Sequence, residues 1–174
     1  NVRIAMNYAV DREQILDVAM EGYAKLLYGC LPSTIWGYWD GVVDYAYAYD
    51  PEKATETFAA AGWELDGDTL TKDGQPFTFT ISHNAASEPA IKACQVLQTQ
   101  LQEYGIAMEI QAIEFSTLLT DLKAGNYQMS QIGYAYASPD IVQLWFHSSN
   151  IGSGLTLSQY NDPDLDALID HSRS

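Results

Sequence analysis

The chain has 174 residues, of which 47% are hydrophobic and 12% are aromatic. A chain of this length and composition is not intrinsically disordered, and it can bury the core of one domain. Its 8 basic and 23 acidic residues give a net charge of −15, which argues against binding nucleic acid by neutralising phosphates. No apolar run in the sequence reaches the roughly 18 residues that a membrane-spanning helix requires.

The sequence opens without an initiator methionine, and its first residues already follow a helical pattern. We therefore expect an excised piece of a longer protein, so the absence of a targeting signal carries no information. Cys30 in a loop-like stretch and Cys94 in a predicted helix are compatible with a disulfide or with two separate thiols. The cysteines therefore do not indicate a cellular compartment.

Helix signals come first along the chain. Residues 2–9 follow a helical pattern for a turn or two, and Asp11 with Gln14 three residues later predicts a capping box. The helix that begins there should run to about Met20. Residues 26–49 then show no sustained periodicity and are rich in aromatic residues. A loop of this length in a compact domain is usually functional or packs as a lid.

The segment 50–52, Asp-Pro-Glu, is a strong helix start, and Gly62 predicts the end of that helix. A Schellman motif at this end would bring Phe58 against Trp63. Turn signals rich in Asp and Gly at 66–68 and 73–74 predict a small hairpin arm directly afterwards.

Strands and helices then alternate. Three strands are predicted over residues 77–82, 106–112 and 128–134 from their apolar and polar alternation. Two helices separate them, capped by Ser87 and Ser116 and running through Tyr104 and Ala124. Strand, helix, strand, helix and strand with short connections predict an α/β fold, with a mainly parallel βαβαβ sheet flanked by helices.

The most informative segment is 128–148, in which the third strand leads into a helix opened by Pro139 and Asp140. Tyr134, Tyr136 and Ser138 should lie at the carboxyl end of that strand, which is where open α/β sheets bind ligands. A tyrosine ring offers an apolar face and a hydroxyl that suit a peptide backbone or a sugar ring. Ser138 could contact ligand or cap the helix, and Asp140 is interpreted chiefly as a partner for free N–H groups of the helix.

Four further blocks carry a family resemblance. They read approximately VRxAxxYAIDR, DPEKAxxLLxEAGW, xEWxxxxxxxxxG and YxNPEVDxL, and they stand at residues 2–12, 50–63, 113–125 and 160–168. Phe115 replaces the tryptophan of the third block. In this order, and together with segment 128–148, they resemble the C-terminal lobe of the family 5 extracellular solute-binding proteins. These are the peptide, nickel and oligosaccharide receptors of ABC importers.

The resemblance implies a periplasmic-binding-protein-like lobe, so residues 1–174 are expected to be one domain of a two-lobed receptor whose N-terminal lobe is absent from this chain. Such a receptor captures an oligopeptide, or in other members an oligosaccharide or metal chelate, and delivers it to the permease subunits of an ABC transporter. It works outside the cytoplasm, in a periplasm or anchored by lipid to the outer face of the membrane. The resemblance also places part of the long loop near the cleft mouth, which makes Trp36 and Trp39 candidate ligand contacts.

One position departs from the family pattern. Peptide-binding members usually carry an aspartate, which pairs with the peptide's amino terminus, where this chain has Ala137. A buried ammonium needs an anion or hydrogen-bonding partners, so Ala137 argues against ordinary recognition of a peptide amino terminus. Asp140 is the candidate substitute. Oligosaccharides, which need no such anchor, therefore remain the alternative ligand.

Other functions have weaker support. A hydrolase would need Ser87 or Cys94 beside His83, but nothing resembles a nucleophile elbow, so we expect a protein that is not an enzyme. Residues 162–173 match only the first positions of a calcium loop, and the histidines lack metal-ligand spacing. No metal or cofactor is expected. A pure interaction domain with an acidic docking surface is the third hypothesis.

Overall fold

The computed structural model describes residues 1–173, which form seven α-helices, six strands and two short 3-10 helices. In chain order the elements are α1 (Val2–Ala9), α2 (Arg12–Met20), a 3-10 helix (Asp40–Tyr45), α3 (Pro51–Ala60), β1 (Glu64–Asp66), β2 (Thr69–Lys72), β3 (Gln75–Pro76), β4 (Thr78–Asn84), α4 (Glu88–Gln102), β5 (Ala107–Ile113), α5 (Phe115–Ala124), β6 (Met129–Gln131), α6 (Ile141–Phe146), a 3-10 helix (Ser148–Asn150) and α7 (Pro163–His171).

The main sheet has the strand order β5-β4-β6, and both pairs are parallel. Ile81 at its centre lies opposite Ile110 on one side and Met129 on the other. The predicted α/β class and parallel βαβαβ unit are therefore confirmed. Because the chain passes from the central strand to one edge and then to the other, right-handed crossovers place α4 and α5 on opposite faces of the sheet.

The third strand is shorter than predicted, since β6 ends at Gln131 and not at Tyr134. Its pairing with β4 covers only the three positions from Ile81 to His83. Beyond these positions β4 pairs only with β5 at the other edge of the sheet. The Ala85 N–H continues this pairing, since it donates to the Ile113 carbonyl of β5 at 2.8 Å. The backbone after Gln131 therefore lacks a partner in the sheet and leaves it.

The core fills the space between this sheet and the four helices α1 to α4. The α4 helix packs on β4 and β5, α2 packs on α4, and α1 packs on α3. Phe58, Leu101 and Ile106 are buried almost completely within it. Cys94 is also part of this core, and both Cys94 and Cys30 are free thiols.

The predicted arm is a separate antiparallel sheet of three short strands in the order β1-β2-β3. It is held to the main body at Gly105, whose carbonyl accepts from the Leu70 N–H at 2.9 Å. A Cβ on Gly105 would lie 2.6 Å from the Leu70 nitrogen, and the residue has a φ of +74°. Only glycine allows both the left-handed turn and this close approach of two backbones.

Most of the predicted helix signals are confirmed. The carboxylate of Asp50 accepts from the Lys53 N–H at 3.0 Å, and the Ser87 hydroxyl accepts from the Ala90 N–H at 3.4 Å. At the end of α3 the Trp63 N–H donates to the Phe58 carbonyl at 3.0 Å, as a Schellman motif requires. The Phe58 and Trp63 rings each contact Phe77, at centroid distances of 6.3 and 4.5 Å.

Two capping predictions are wrong in detail. The α5 helix begins at Phe115 and is capped by Glu114, whose carboxylate accepts from the Ser116 and Thr117 N–H groups, so Ser116 is not the cap. Asp11 caps α2 as predicted, but Gln14 does not complete a capping box. The Asp11 N–H instead donates to the Gln100 Oε1 in α4 at 3.1 Å, because packing of the two helices brings that amide closer.

Candidate functional site

The site lies at the carboxyl ends of the two neighbouring strands β4 and β6. The crossover through α4 leaves β4 towards β5, and the crossover through α5 returns from β5 to β6 on the other face of the sheet. The direction of the connections therefore reverses between β4 and β6, and the gap between these two strands is the topological switch point of the sheet. Ligands of open α/β sheets bind in the crevice outside the carboxyl ends at this point. Two connections flank it, residues 85–87 after β4 and residues 132–140 after β6, and we call the latter the crevice segment.

The crevice segment carries Tyr134 and Tyr136, both half-buried. They pack against Trp145 of α6, with centroid distances of 5.9 and 5.1 Å, and the three rings form an aromatic cluster. Burial raises the pKa of both tyrosine hydroxyls. Their location after the strand end agrees with the sequence prediction, whereas ligand contact by these rings stays a prediction.

The long loop of residues 26–49 docks on the crevice segment. The Tyr136 hydroxyl donates to the Cys30 carbonyl at 2.6 Å, across 106 positions of sequence. A Cβ on Gly37 would lie 4.0 Å from the Pro139 Cβ, which shows how closely the loop approaches the start of α6. Trp36 and Trp39 belong to this part of the loop and are 77% and 62% exposed. The two indoles are therefore accessible on the loop that docks on the crevice segment.

Ser138 and Asp140 occupy the turn that opens α6. The Ser138 hydroxyl accepts from the Asp140 N–H at 3.3 Å, within the turn before α6, and does not bond an N–H of the helix itself, whose N-cap is Asp140. The interpretation of Asp140 as a partner for free helix N–H groups is wrong. Its own backbone is already helical, whereas a capping side chain needs an extended backbone. Its carboxylate instead accepts from Arg173 Nε at 3.0 Å, close to the chain end.

Sequence reasoning missed two parts of this site. The first is Trp145, which holds both tyrosines in place, and whose position on a short amphipathic helix gave no sign of that role. The second is the connection 85–87, which follows the strand next to β6 in the sheet. The signal for it was available, because these residues follow a predicted strand directly, but only the strand order shows that β4 and β6 are neighbours.

The residues considered for hydrolysis have structural roles. His83 is 2% exposed, and its Nδ1 lies 3.0 Å from the Asn84 carbonyl oxygen. Ser87 caps α4, and Cys94 is 1% exposed. Burial raises the pKa of the Cys94 thiol, which disfavours the nucleophilic thiolate. Across residues 1–173, no hydrogen bond joins His83 to Ser87 or Cys94.

His147 follows α6 and faces two carboxylates of α7, with Nδ1 3.7 Å from Asp166 and Nε2 3.4 Å from Asp170. Asp166 also accepts from the Ser148 N–H at 2.9 Å and from its hydroxyl, and these bonds are the main cause of its lowered pKa. In the part of the chain that the structure describes, no three His, Cys, Asp or Glu side chains are arranged to hold a metal ion.

An open parallel sheet with aromatic side chains on the connection beside its switch point is typical of the ligand-binding lobes of α/β proteins. The sequence matches the family model described as "Bacterial extracellular solute-binding proteins, family 5 Middle" over residues 1–153. The chain belongs to this family. Within residues 1–173 no helix is long and apolar enough to span a membrane.

Individual relatives agree with this assignment. The oligopeptide-binding protein AppA of Bacillus subtilis is 30% identical over 178 residues, which cover 99% of this chain and 33% of the relative. A probable di/tripeptide-binding protein of Pseudomonas aeruginosa is 33% identical over 97% of this chain and 30% of its own length. The chain therefore spans about a third of the relatives it matches.

Solved structures show the same fold. AppA in complex with a nonapeptide superposes with a TM-score of 0.89 at 29% identity, over 99% of this chain and 35% of AppA. NikZ of Campylobacter jejuni in complex with Ni(L-His) gives a TM-score of 0.81 at 25% identity, over 99% of this chain and 35% of NikZ. The family is one of solute-binding proteins, and members are named for peptide ligands and, in this second structure, for a nickel complex.

Proposed function

We propose that this chain is one lobe of the substrate-binding receptor of an ABC importer, which captures an oligopeptide and delivers it to a membrane permease. Residues 1–174 would form a single domain, the C-terminal lobe, and the partner lobe would belong to the rest of the polypeptide. The observation that carries the proposal is the match to AppA, a nonapeptide-bound relative whose fold this chain shares at a TM-score of 0.89.

The ligand-binding surface that we propose consists of the crevice segment and the exposed part of the long loop. Its residues are Tyr134, Tyr136, Ser138, Asp140, Trp36 and Trp39. The two indoles offer accessible apolar faces for side chains, whereas Ser138 and Asp140 are exposed polar groups at the start of α6. Arg173 holds the Asp140 carboxylate at 3.0 Å, so a ligand ammonium would have to share that carboxylate with the guanidinium.

The mechanism follows from the crevice being one wall of a cleft. A ligand held on one wall leaves its other side in water, whereas closure of the second lobe buries both sides. Binding energy that is available only in the closed state shifts the receptor towards closure. The closed form is then the state that the permease would recognise. Neither step requires catalysis, and we propose that the protein is not an enzyme.

The location and ligand range follow the family. Receptors of this type act outside the cytoplasm, in a periplasm or lipid-anchored on the outer face of the membrane. Peptides are the primary ligands because AppA and the Pseudomonas relative are named for them. Metal chelates and oligosaccharides are the alternatives, since NikZ was solved with Ni(L-His) and Ala137 provides no carboxylate for a peptide amino terminus. Native mass spectrometry of the receptor with its co-purified ligand distinguishes these classes.

The two-wall mechanism predicts a large difference between the full-length receptor and this chain alone. Removing one wall should weaken binding at least ~100-fold, because roughly half of the buried contact area is lost. Isothermal titration calorimetry with mixed tri- to nonapeptides on both proteins measures this difference. Equal affinities for the two proteins would contradict the mechanism.

The position of the site predicts that Trp36→Ala weakens peptide binding by the full-length receptor. We expect a loss of about 3- to 30-fold, because an exposed indole loses its contact with ligand. Tyr23→Ala, which removes another exposed aromatic ring, at 90% exposure, is the matched control. If Trp36→Ala, Tyr134→Ala and Tyr136→Ala all left every small-ligand affinity unchanged, an interaction domain that docks by its acidic surface would be the better interpretation.

A further inference from the structure

The long loop that carries the two candidate indoles has almost no core of its own. Among residues 26–49 only Ile35 is buried, at 8% exposure. Across residues 1–173, two side chains from elsewhere in the chain donate hydrogen bonds to the backbone of this loop, and they belong to Tyr136 and Arg12. A segment with so little buried surface depends on such contacts for its position.

Arg12 contacts both sides of the loop where the loop begins and ends. Its Nη2 donates to the Tyr47 carbonyl, and its guanidinium carbon lies 5.9 Å from the centroid of the Tyr28 ring. We call the two sides of the loop at Tyr28 and Tyr47 the neck. Within residues 1–173 no backbone hydrogen bond crosses from one side of the neck to the other. Arg12 therefore joins two parts of the loop that the backbone leaves unjoined.

The guanidinium reaches the neck from a fixed position. Arg12 is the first residue of α2 and directly follows Asp11, whose carboxylate caps the helix and whose N–H donates to Gln100 Oε1 at 3.1 Å. A pocket of about 340 Å³, lined by both Arg12 and Tyr28, remains between the neck and the start of α2. Close packing therefore does not hold the loop at this place, and the contacts of Arg12 are the more important for its position.

We propose that Arg12 is a positioning residue of the receptor, which closes the neck of the long loop and thereby holds Trp36 and Trp39 where they meet the ligand. The proposal rests on the receptor function proposed above. Arg12 acts through the loop, because both of its contacts are with the neck. A planar guanidinium can lie against an aromatic ring and donate to a carbonyl at the same time, whereas a lysine ammonium is a point charge on a flexible stem.

Hydrogen exchange of the full-length receptor without ligand tests the closure of the neck. The N–H groups of Tyr38, Val42 and Ala46 donate to carbonyls within the loop, so their exchange reports its opening. In Arg12→Met we expect them to exchange about 3- to 30-fold faster, with exchange in α4 unchanged. The midpoint of thermal unfolding should move by less than about 3 °C. Arg3→Met, at an exposed arginine of α1, removes the same charge as a control. Unchanged exchange in the loop would overturn the proposal.

Peptide affinity separates positioning from a general loss of stability. Calorimetry on the full-length receptor with mixed tri- to nonapeptides should show about 3- to 10-fold weaker binding for Arg12→Met, with part of the loss recovered in Arg12→Lys. In a receptor that already carries Trp36→Ala and Trp39→Ala, the Arg12→Met change should weaken binding by less than about 2-fold, because the indoles through which it acts are gone. An equal loss in both backgrounds, or the same loss in Arg3→Met, would overturn the positioning role.

The two measurements also separate this proposal from the receptor function. Faster exchange in the loop of Arg12→Met, in a receptor that binds no peptide, refutes the receptor function alone. Peptide binding that Arg12→Met leaves unchanged refutes the positioning role alone.

Discussion

Replacing Phe58 by alanine is expected to lower the free energy of unfolding of this chain by about 3–5 kcal/mol. Phe58 is 2% exposed and lies where α3 meets the sheet and the arm. Its ring contacts Phe77 at a centroid distance of 6.3 Å and Tyr104 at 6.1 Å. Alanine would remove this buried surface and leave a cavity that the surrounding rings fill only in part. Urea unfolding followed by circular dichroism measures the loss.

The matched control is Phe115→Ala. Phe115 is the first residue of α5 and is 41% exposed, so its truncation should change the free energy of unfolding by less than about 1 kcal/mol. Similar losses in the two variants would contradict the assignment of Phe58 to the centre of the core. The same variant tests the position at which Phe115 replaces a family tryptophan. A small effect would show that the side chain at this position contributes little to the free energy of unfolding.

Gln100→Ala is expected to destabilise the chain by about 1–3 kcal/mol, the second largest effect on stability. The Gln100 side chain is 7% exposed and joins α4 to the start of α2. Its Nε2 donates to the Asp11 carbonyl at 3.1 Å, and its Oε1 accepts from the Asp11 N–H at 3.1 Å. Alanine would leave the Asp11 N–H without this partner in a partly buried interface, which costs about 1–3 kcal/mol, whereas the Asp11 carbonyl still accepts from the Ile15 N–H at 3.3 Å.

Gln95→Ala in the same helix separates this effect from helix propensity. Gln95 is exposed, and the same change of residue there should alter stability by no more than about 0.5 kcal/mol. Thermal unfolding of the two variants under one set of conditions gives the comparison. An equally small effect at Gln100 would show that water replaces its amide at the start of α2 with no loss of stability.

These two positions illustrate how far prediction from the sequence extends. The Asp-Pro start and Gly62 placed Phe58 in the last turn of a helix, and the predicted Schellman motif directed its ring towards Trp63. Gln100 was not predictable, because a glutamine in a helix is usually solvated, and its partner Asp11 stands 89 positions away. Local pattern therefore placed Phe58 in its helix, whereas the polar contact between α2 and α4 depends on how two helices pack.

The same division holds for the candidate site. Segment 128–148 showed that Tyr134, Tyr136 and Ser138 follow a strand and precede a helix, and the structure has them there. The sequence did not show that Tyr136 donates to the Cys30 carbonyl, nor that Trp145 lies between the two tyrosines. It assigned the Asp140 carboxylate to the helix start, although Arg173 is the observed partner.

Local signals fixed the two ends of α3 and the start of α4, since Asp50, Gly62 and Ser87 act on backbone groups within a few positions of themselves. Four sequence blocks that resemble those of the family, in the same order, were enough to indicate the family. Only the tertiary structure decided the strand order β5-β4-β6, and with it the crevice between β4 and β6. The physical reason is that neighbouring strands are chosen by packing among segments tens of residues apart, and no local interaction specifies which of several compatible edges a strand will join.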